Sequence, residues 1–288
     1  MVVMDGKILL ALLAVLVIAF SSGCLDLHLG DDMGDQRIGV VVSILPLAEF
    51  VEAVGGDRVE VSVMVPPGAS PHTYEPKASQ LRDIKSAEMY VMVGSGLEFE
   101  TVWMERIVDL NHEMLVVNSS DGVEIVDHNP HVWLSLRNAR VMVENIYHGL
   151  ARIDPENQEY YARRMEEYQE ELDRVDALIR ANLSDYEKCA ILVYHPAWAY
   201  FARDYGLEEI AIEEDGKRAG PKRIAEVVGE ARARNITLVF ASPHESTRGA
   251  EMIAEEIGGE VVLVDPLAYR YLENMNTVAE AFRRGAGC

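Results

Sequence analysis

Eight short apolar runs rich in Val and Ile, in two sets of four with helical patterns between them, constrain this chain more than any other feature. The first set is Ile38 to Ser43, Val59 to Val65, Met89 to Val93 and Met114 to Val117. The second is Ala190 to Tyr194, Glu209 to Ile212, Ile236 to Ala241 and Glu260 to Val264. A strand that is apolar at nearly every position leaves no face for water, so such runs fit parallel sheets covered on both sides. Segments such as Leu47 to Val54, Ala78 to Ser86, Pro196 to Tyr205, Pro221 to Arg234 and Ser246 to Ile257 supply the covering helices. The pattern predicts an α/β protein with two four-stranded parallel sheets.

Between the two sets lies a charged run, PENQEYYARRMEEYQEELDRVDALIRANL, without Gly or an internal Pro. Asp154 reads as its N-cap and Pro155 as the first helical residue, with the helix running to about Leu183. Roughly 28 helical residues rise about 42 Å, enough for one helix to brace both halves. The chain returns at once to strands, which excludes a coiled coil. The expected organisation is a signal over 1–23, a tether over 24–36, an N-terminal lobe over 37–153, a linking helix over 154–184 and a C-terminal lobe over 185–288.

The signal rests on Ile8 to Phe20, a run of 13 apolar residues followed by Ser21, Ser22, Gly23 and Cys24. Such a run is too short for a helix across a bilayer of about 30 Å and suits the apolar core of a secretory signal. The small residues ending in Gly23-Cys24 resemble the lipobox of lipoproteins, which makes Cys24 the candidate lipidation site. Ser21 stands where that motif usually has Leu, and plain cleavage near Ser22 or an uncleaved anchor are the alternatives. The acidic stretch Asp26 to Gln36 reads as a solvated tether.

Charge then limits the partners. With 26 Lys and Arg against 48 Asp and Glu, the formal charge is −22, the wrong sign for holding phosphates, so nucleic acid is excluded. The three cysteines, Cys24, Cys189 and Cys288, form no CxxC pair. Cys189 opens a buried strand and is expected as an apolar packing residue, with pairing to Cys288 the alternative in an oxidising compartment.

Ligands of open parallel sheets bind outside the carboxyl ends of the strands. After Val59 to Val65, the loop PPGASPHTYEP carries His72; after the fourth strand, DHNPHVWLS carries His131 just ahead of a helix. Ala190 to Tyr194 runs directly into His195-Pro196, and Glu260 to Val264 into Asp265-Pro266. A lone His at a strand end is commonly a hydrogen-bonded loop residue. Three His and one Asp at equivalent places in two similar halves are instead a donor set suited to Zn²⁺. The neighbouring prolines stiffen the backbone that carries them.

At this point the chain resembles a family, the metal-binding receptors of ABC importers for zinc and manganese. SILPLAEFVEAVGGDRVEV, VPPGASPHTYEP, GSGLEFE, NPHVWLS, YHPAWAYFARDYGL and VDPL carry the resemblance over nearly all of the exported part. It implies two Rossmann-like lobes, each with a four-stranded parallel sheet, joined by one long helix. It also implies His72, His131, His195 and Asp265 as metal ligands. His at the third position is the zinc-type choice, where manganese-type members usually have Glu. The partners it implies are a membrane permease and its ATPase, with the receptor a monomer on the outer face of the cell membrane or in the periplasm.

Two histidines stand outside this pattern. His128 lies in a loop that is long and His-rich in many zinc receptors and short here; it is a candidate for capture or an ordinary solvated side chain. His244, in FASPHES, stands where the family often has Gln, and either lines the cleft near the metal or packs in its loop. Glu75 and Glu98 match family positions in supporting roles. The competing functions are a manganese or iron receptor of the same class, a zinc-dependent hydrolase, or an adhesin. A hydrolase needs a metal position open to water, which Asp265 as a fourth ligand would close.

Overall fold

The computed structural model describes residues 37–213 and 219–288. The signal, the tether and Cys24 lie outside the described residues. The N-terminal lobe runs β1 (Ile38–Val42), α1 (Leu45–Gly55), β2 (Val59–Val63), α2 (Ala78–Ser86), β3 (Met89–Met92), α3 (Glu98–Leu110), β4 (Leu115–Asn118) and α4 (Leu136–Ile153). Then comes α5 (Gln158–Leu183). The C-terminal lobe follows with β5 (Ala190–Val193), α6 (Ala199–Tyr205), β6 (Glu208–Ala211), α7 (Pro221–Ala233), β7 (Leu238–Ala241), α8 (Arg248–Ile257), β8 (Glu260–Leu263) and α9 (Tyr271–Gly285).

All eight expected strands form, in two parallel sheets of one topology, β2-β1-β3-β4 and β6-β5-β7-β8. In the first, Val40 lies opposite Val61 on one side and Met89 on the other. In the second, Leu192 lies opposite Ile210 and Val239. Central β1 and β5 are apolar and buried apart from the half-buried Gly39, as strands covered on both faces must be. The two lobes share one continuous core that includes Phe50, Trp133, Ile191 and Phe282, while Leu192, Val239 and Ile253 belong to a second cluster.

The linking helix is shorter at its start than the sequence suggests. Pro155–Asn157 forms a 3₁₀ turn, and α5 begins at Gln158, which leaves 26 residues, about 39 Å. Asp154 is the N-cap residue of that turn, as expected, but its side chain makes no capping bond; the carboxylate accepts from Asn157 Nδ2 at 2.8 Å and Tyr161 Oη at 2.7 Å instead. Tyr161, Tyr168, Leu172, Ile179 and Leu183 bury one stripe of α5 at helical spacing. Glu49 on α1 ties that stripe to the far lobe, accepting from Tyr168 Oη at 2.7 Å and from Tyr271 N at 2.6 Å.

Helix α9 covers the second sheet, with the Phe282 ring 4.8 Å from Phe240 and 5.3 Å from Trp198. Its return corrects the reading of Cys189. Ala190 N donates to Gly287 O at 2.7 Å and Gly287 N to Ala190 O at 2.9 Å, an antiparallel bridge that sets the preceding and following residues face to face. Cys189 is buried, and it is bonded to Cys288 across a separation of 99 residues. No described helix is long and apolar enough to cross a membrane.

Candidate metal centre

The residues proposed from the sequence leave the carboxyl ends of β2, β4, β5 and β8. Gln80 on α2 shapes the first loop, donating to Val63 O at 3.0 Å and Met64 O at 2.6 Å while accepting from Tyr74 Oη at 2.7 Å. That clamp holds both ends of the turn carrying His72. The second loop crosses to the other lobe: Tyr200 Oη donates to Asn129 O at 2.8 Å, and Val126 N donates to Tyr200 Oη at 3.0 Å. Trp133, two residues past His131, donates its indole N–H to Pro266 O at 2.7 Å. Loops of both lobes are therefore knitted together around the strand ends.

His72, His131 and His195 come together. Their ring centroids are 4.9 Å (72 to 195), 5.2 Å (131 to 195) and 6.1 Å (72 to 131) apart. One ligand nitrogen from each lies within 4.8 Å of the other two. Each ring is held through Nδ1: that of His72 is 2.9 Å from Glu98 Oε2, that of His131 2.7 Å from Asn129 Oδ1, and that of His195 3.0 Å from Glu213 Oε2. Acceptors there keep the proton on Nδ1 and leave Nε2 with a bare lone pair, the form in which imidazole binds metal. His195 Nε2 is buried without a hydrogen-bond partner.

Burial and charge push the His72 and His131 rings apart in basicity. The Glu98 carboxylate holds the His72 pKa above its ordinary value against an opposing desolvation, and His72 in turn lowers that of Glu98. His131 is driven well below the usual range, first by burial and then by the neighbouring imidazoles. The cavity these rings line measures about 20 Å³, room for a single ion or water.

The fourth side differs from the expectation. Asp265 is not among the three-nitrogen cluster and does not line the cavity, whereas Pro266 and Leu267 do. Its Oδ1 accepts from Leu267 N at 2.7 Å and sits 2.6 Å from His244 Nε2. His244 does line the cavity. His128 is exposed, at a φ of 56°, and belongs to neither cluster. Glu75 is also exposed. A second group, His195 with Glu213 and Glu245, shares the His195–Glu213 contact that fixes the ring.

Asn129 and Glu213 are the supporting residues that sequence reasoning passed over. Glu213 follows β6, so the strand-end rule that found the histidines reaches it too. Asn129 precedes Pro130 and sits two residues before His131, a spacing suited to an Asx turn; its Oδ1 accepts from His131 N at 3.0 Å.

The chain is similar to known proteins over most of its length. Residues 40–285 match the family model described as zinc-uptake complex component A, periplasmic. A candidate metal-binding protein of Chlamydia muridarum is 30% identical over 275 residues, covering 93% of this chain and 98% of the relative. The high-affinity zinc uptake system protein ZnuA of Bacillus subtilis is 27% identical over 258 residues, covering 82% of this chain and 80% of its own. A crystal structure of ZnuA superposes with a TM-score of 0.84 at 36% identity, covering 87% of this chain and 99% of that one.

Proposed function

The chain belongs to the family of zinc-uptake complex component A, and from that premise we propose that it is an extracytoplasmic receptor delivering Zn²⁺ to an ABC importer. His72, His131 and His195 hold the ion, and the His244–Asp265 pair closes the fourth side. The carrying observation is that three imidazoles from two lobes, each held at Nδ1, surround space for one ion. Such a donor set favours zinc over manganese, which prefers oxygen. A cavity of that size leaves no place for an organic substrate beside the ion, which favours a receptor over a hydrolase.

The cargo passes to a membrane permease driven by an ATPase. Export over 1–23 and lipidation at Cys24 would tether a monomeric receptor to the outer face of the membrane. Loading involves modest movement, since contacts such as Trp133 to Pro266 already join the loops and α5 runs beside both lobes. Calorimetric titration with zinc tests the assignment. The wild type should bind one equivalent, and His131→Ala should weaken binding severely; an unchanged isotherm would refute the site.

A further inference from the structure

His244 is a buried imidazole that the three-histidine site leaves without a task. Its side chain is 8% exposed, and it lines the cavity of His72, His131 and His195. A neutral imidazole carries one N–H and one bare lone pair. Asp265 Oδ1, which already accepts from Leu267 N, lies 2.6 Å from His244 Nε2, so the proton sits on Nε2. The lone pair is then on Nδ1, which is buried with no hydrogen-bond partner. A buried polar atom left unpaired destabilises the fold unless something else occupies it.

We propose that His244 Nδ1 is the fourth donor to the ion and that Asp265 is the carboxylate that orients it. This rests on the reading of His72, His131 and His195 as ligands. The four rings then follow one rule with the nitrogens exchanged at the fourth: an acceptor holds one nitrogen and the other faces the ion. Asp265 is itself restrained by Asn274 Nδ2, which donates to its carbonyl at 2.7 Å, and His244 N donates to Ser242 Oγ at 3.2 Å. His244 lies outside the 4.8 Å cluster, so loading draws the turn after β7 inward until Nδ1 reaches the zinc–nitrogen distance of about 2.0–2.1 Å. A site of four imidazoles with the carboxylate behind them discriminates against manganese more strongly than three imidazoles and a directly bound carboxylate.

Long-range ¹H–¹⁵N spectra of the ¹⁵N-histidine-labelled protein, recorded with and without one equivalent of zinc, decide the question without any variant. The expected result is that zinc shifts four imidazole nitrogens, Nε2 of His72, His131 and His195 and Nδ1 of His244. His244→Gln should remove the Nδ1 signal. Asp265→Asn should keep four shifted nitrogens while lowering zinc affinity roughly 10–100-fold, the usual cost of losing an orienting partner. Three shifted Nε2 atoms with His244 Nδ1 unmoved would overturn this inference and leave the three-histidine site standing. No shift at any of these rings would overturn both.

Discussion

Asn129 holds His131 at two points, accepting through Oδ1 from the ring Nδ1 at 2.7 Å and from the backbone N–H at 3.0 Å. Its Nδ2 donates to Pro196 O at 2.9 Å, one residue past His195. A single amide therefore fixes the tautomer of one proposed ligand and ties its loop to the turn carrying another in the opposite lobe. Asn129→Ala removes all three bonds. Zinc affinity should fall roughly 10–100-fold, measured by competition against a chelator of known affinity.

His195 is the proposed ligand whose identity should tune metal choice. Replacing its imidazole with a carboxylate in His195→Glu exchanges a softer nitrogen donor for oxygen, and manganese gains relative to zinc. Parallel competition titrations on wild type and variant should show the gap between the two metals narrowing. An unchanged ranking would count against His195 as a ligand.

Affinity should also depend on pH with a sign set by His72. Metal competes with protons for each imidazole. Glu98 stabilises the protonated His72 ring and raises its pKa above 6.5, while burial keeps His131 neutral to lower pH. Acidification therefore reaches His72 before His131, and zinc affinity should begin to fall above 6.5. Glu98→Gln withdraws the stabilising charge, so the onset should move to lower pH. Zinc titrations across that range check both statements.

The Cys189–Cys288 bond closes a loop of 99 residues at the amino end of β5, whereas His195 leaves its carboxyl end. Cys288→Ser should cost about 2–4 kcal/mol of stability in denaturant unfolding of the metal-free protein. Zinc affinity should be little altered. Wild type in reducing buffer should match the variant.

How much of this was legible follows from the range of each signal. The eight strands were readable because an apolar run is a local pattern, and the strand-end rule then located His72, His131 and His195. Helix α9 was overlooked although Tyr271, Met275, Val278, Ala279 and Phe282 recur at helical spacing. Cys189 looked like packing because its partner reaches it only after α9 has folded back. Asp265 was legible as a candidate by position, but its contact with His244 joins residues on two adjacent strand ends. Glu98 faces His72 across 26 positions of sequence, a distance no local pattern spans.

Metal analysis of the protein purified without added metal, followed by zinc-against-manganese competition, tests the central claim most directly. The account predicts one zinc per chain, retained against an excess of manganese and released when the pH falls through the histidine range. A protein that carries no stoichiometric metal and gives up zinc readily to manganese would contradict it.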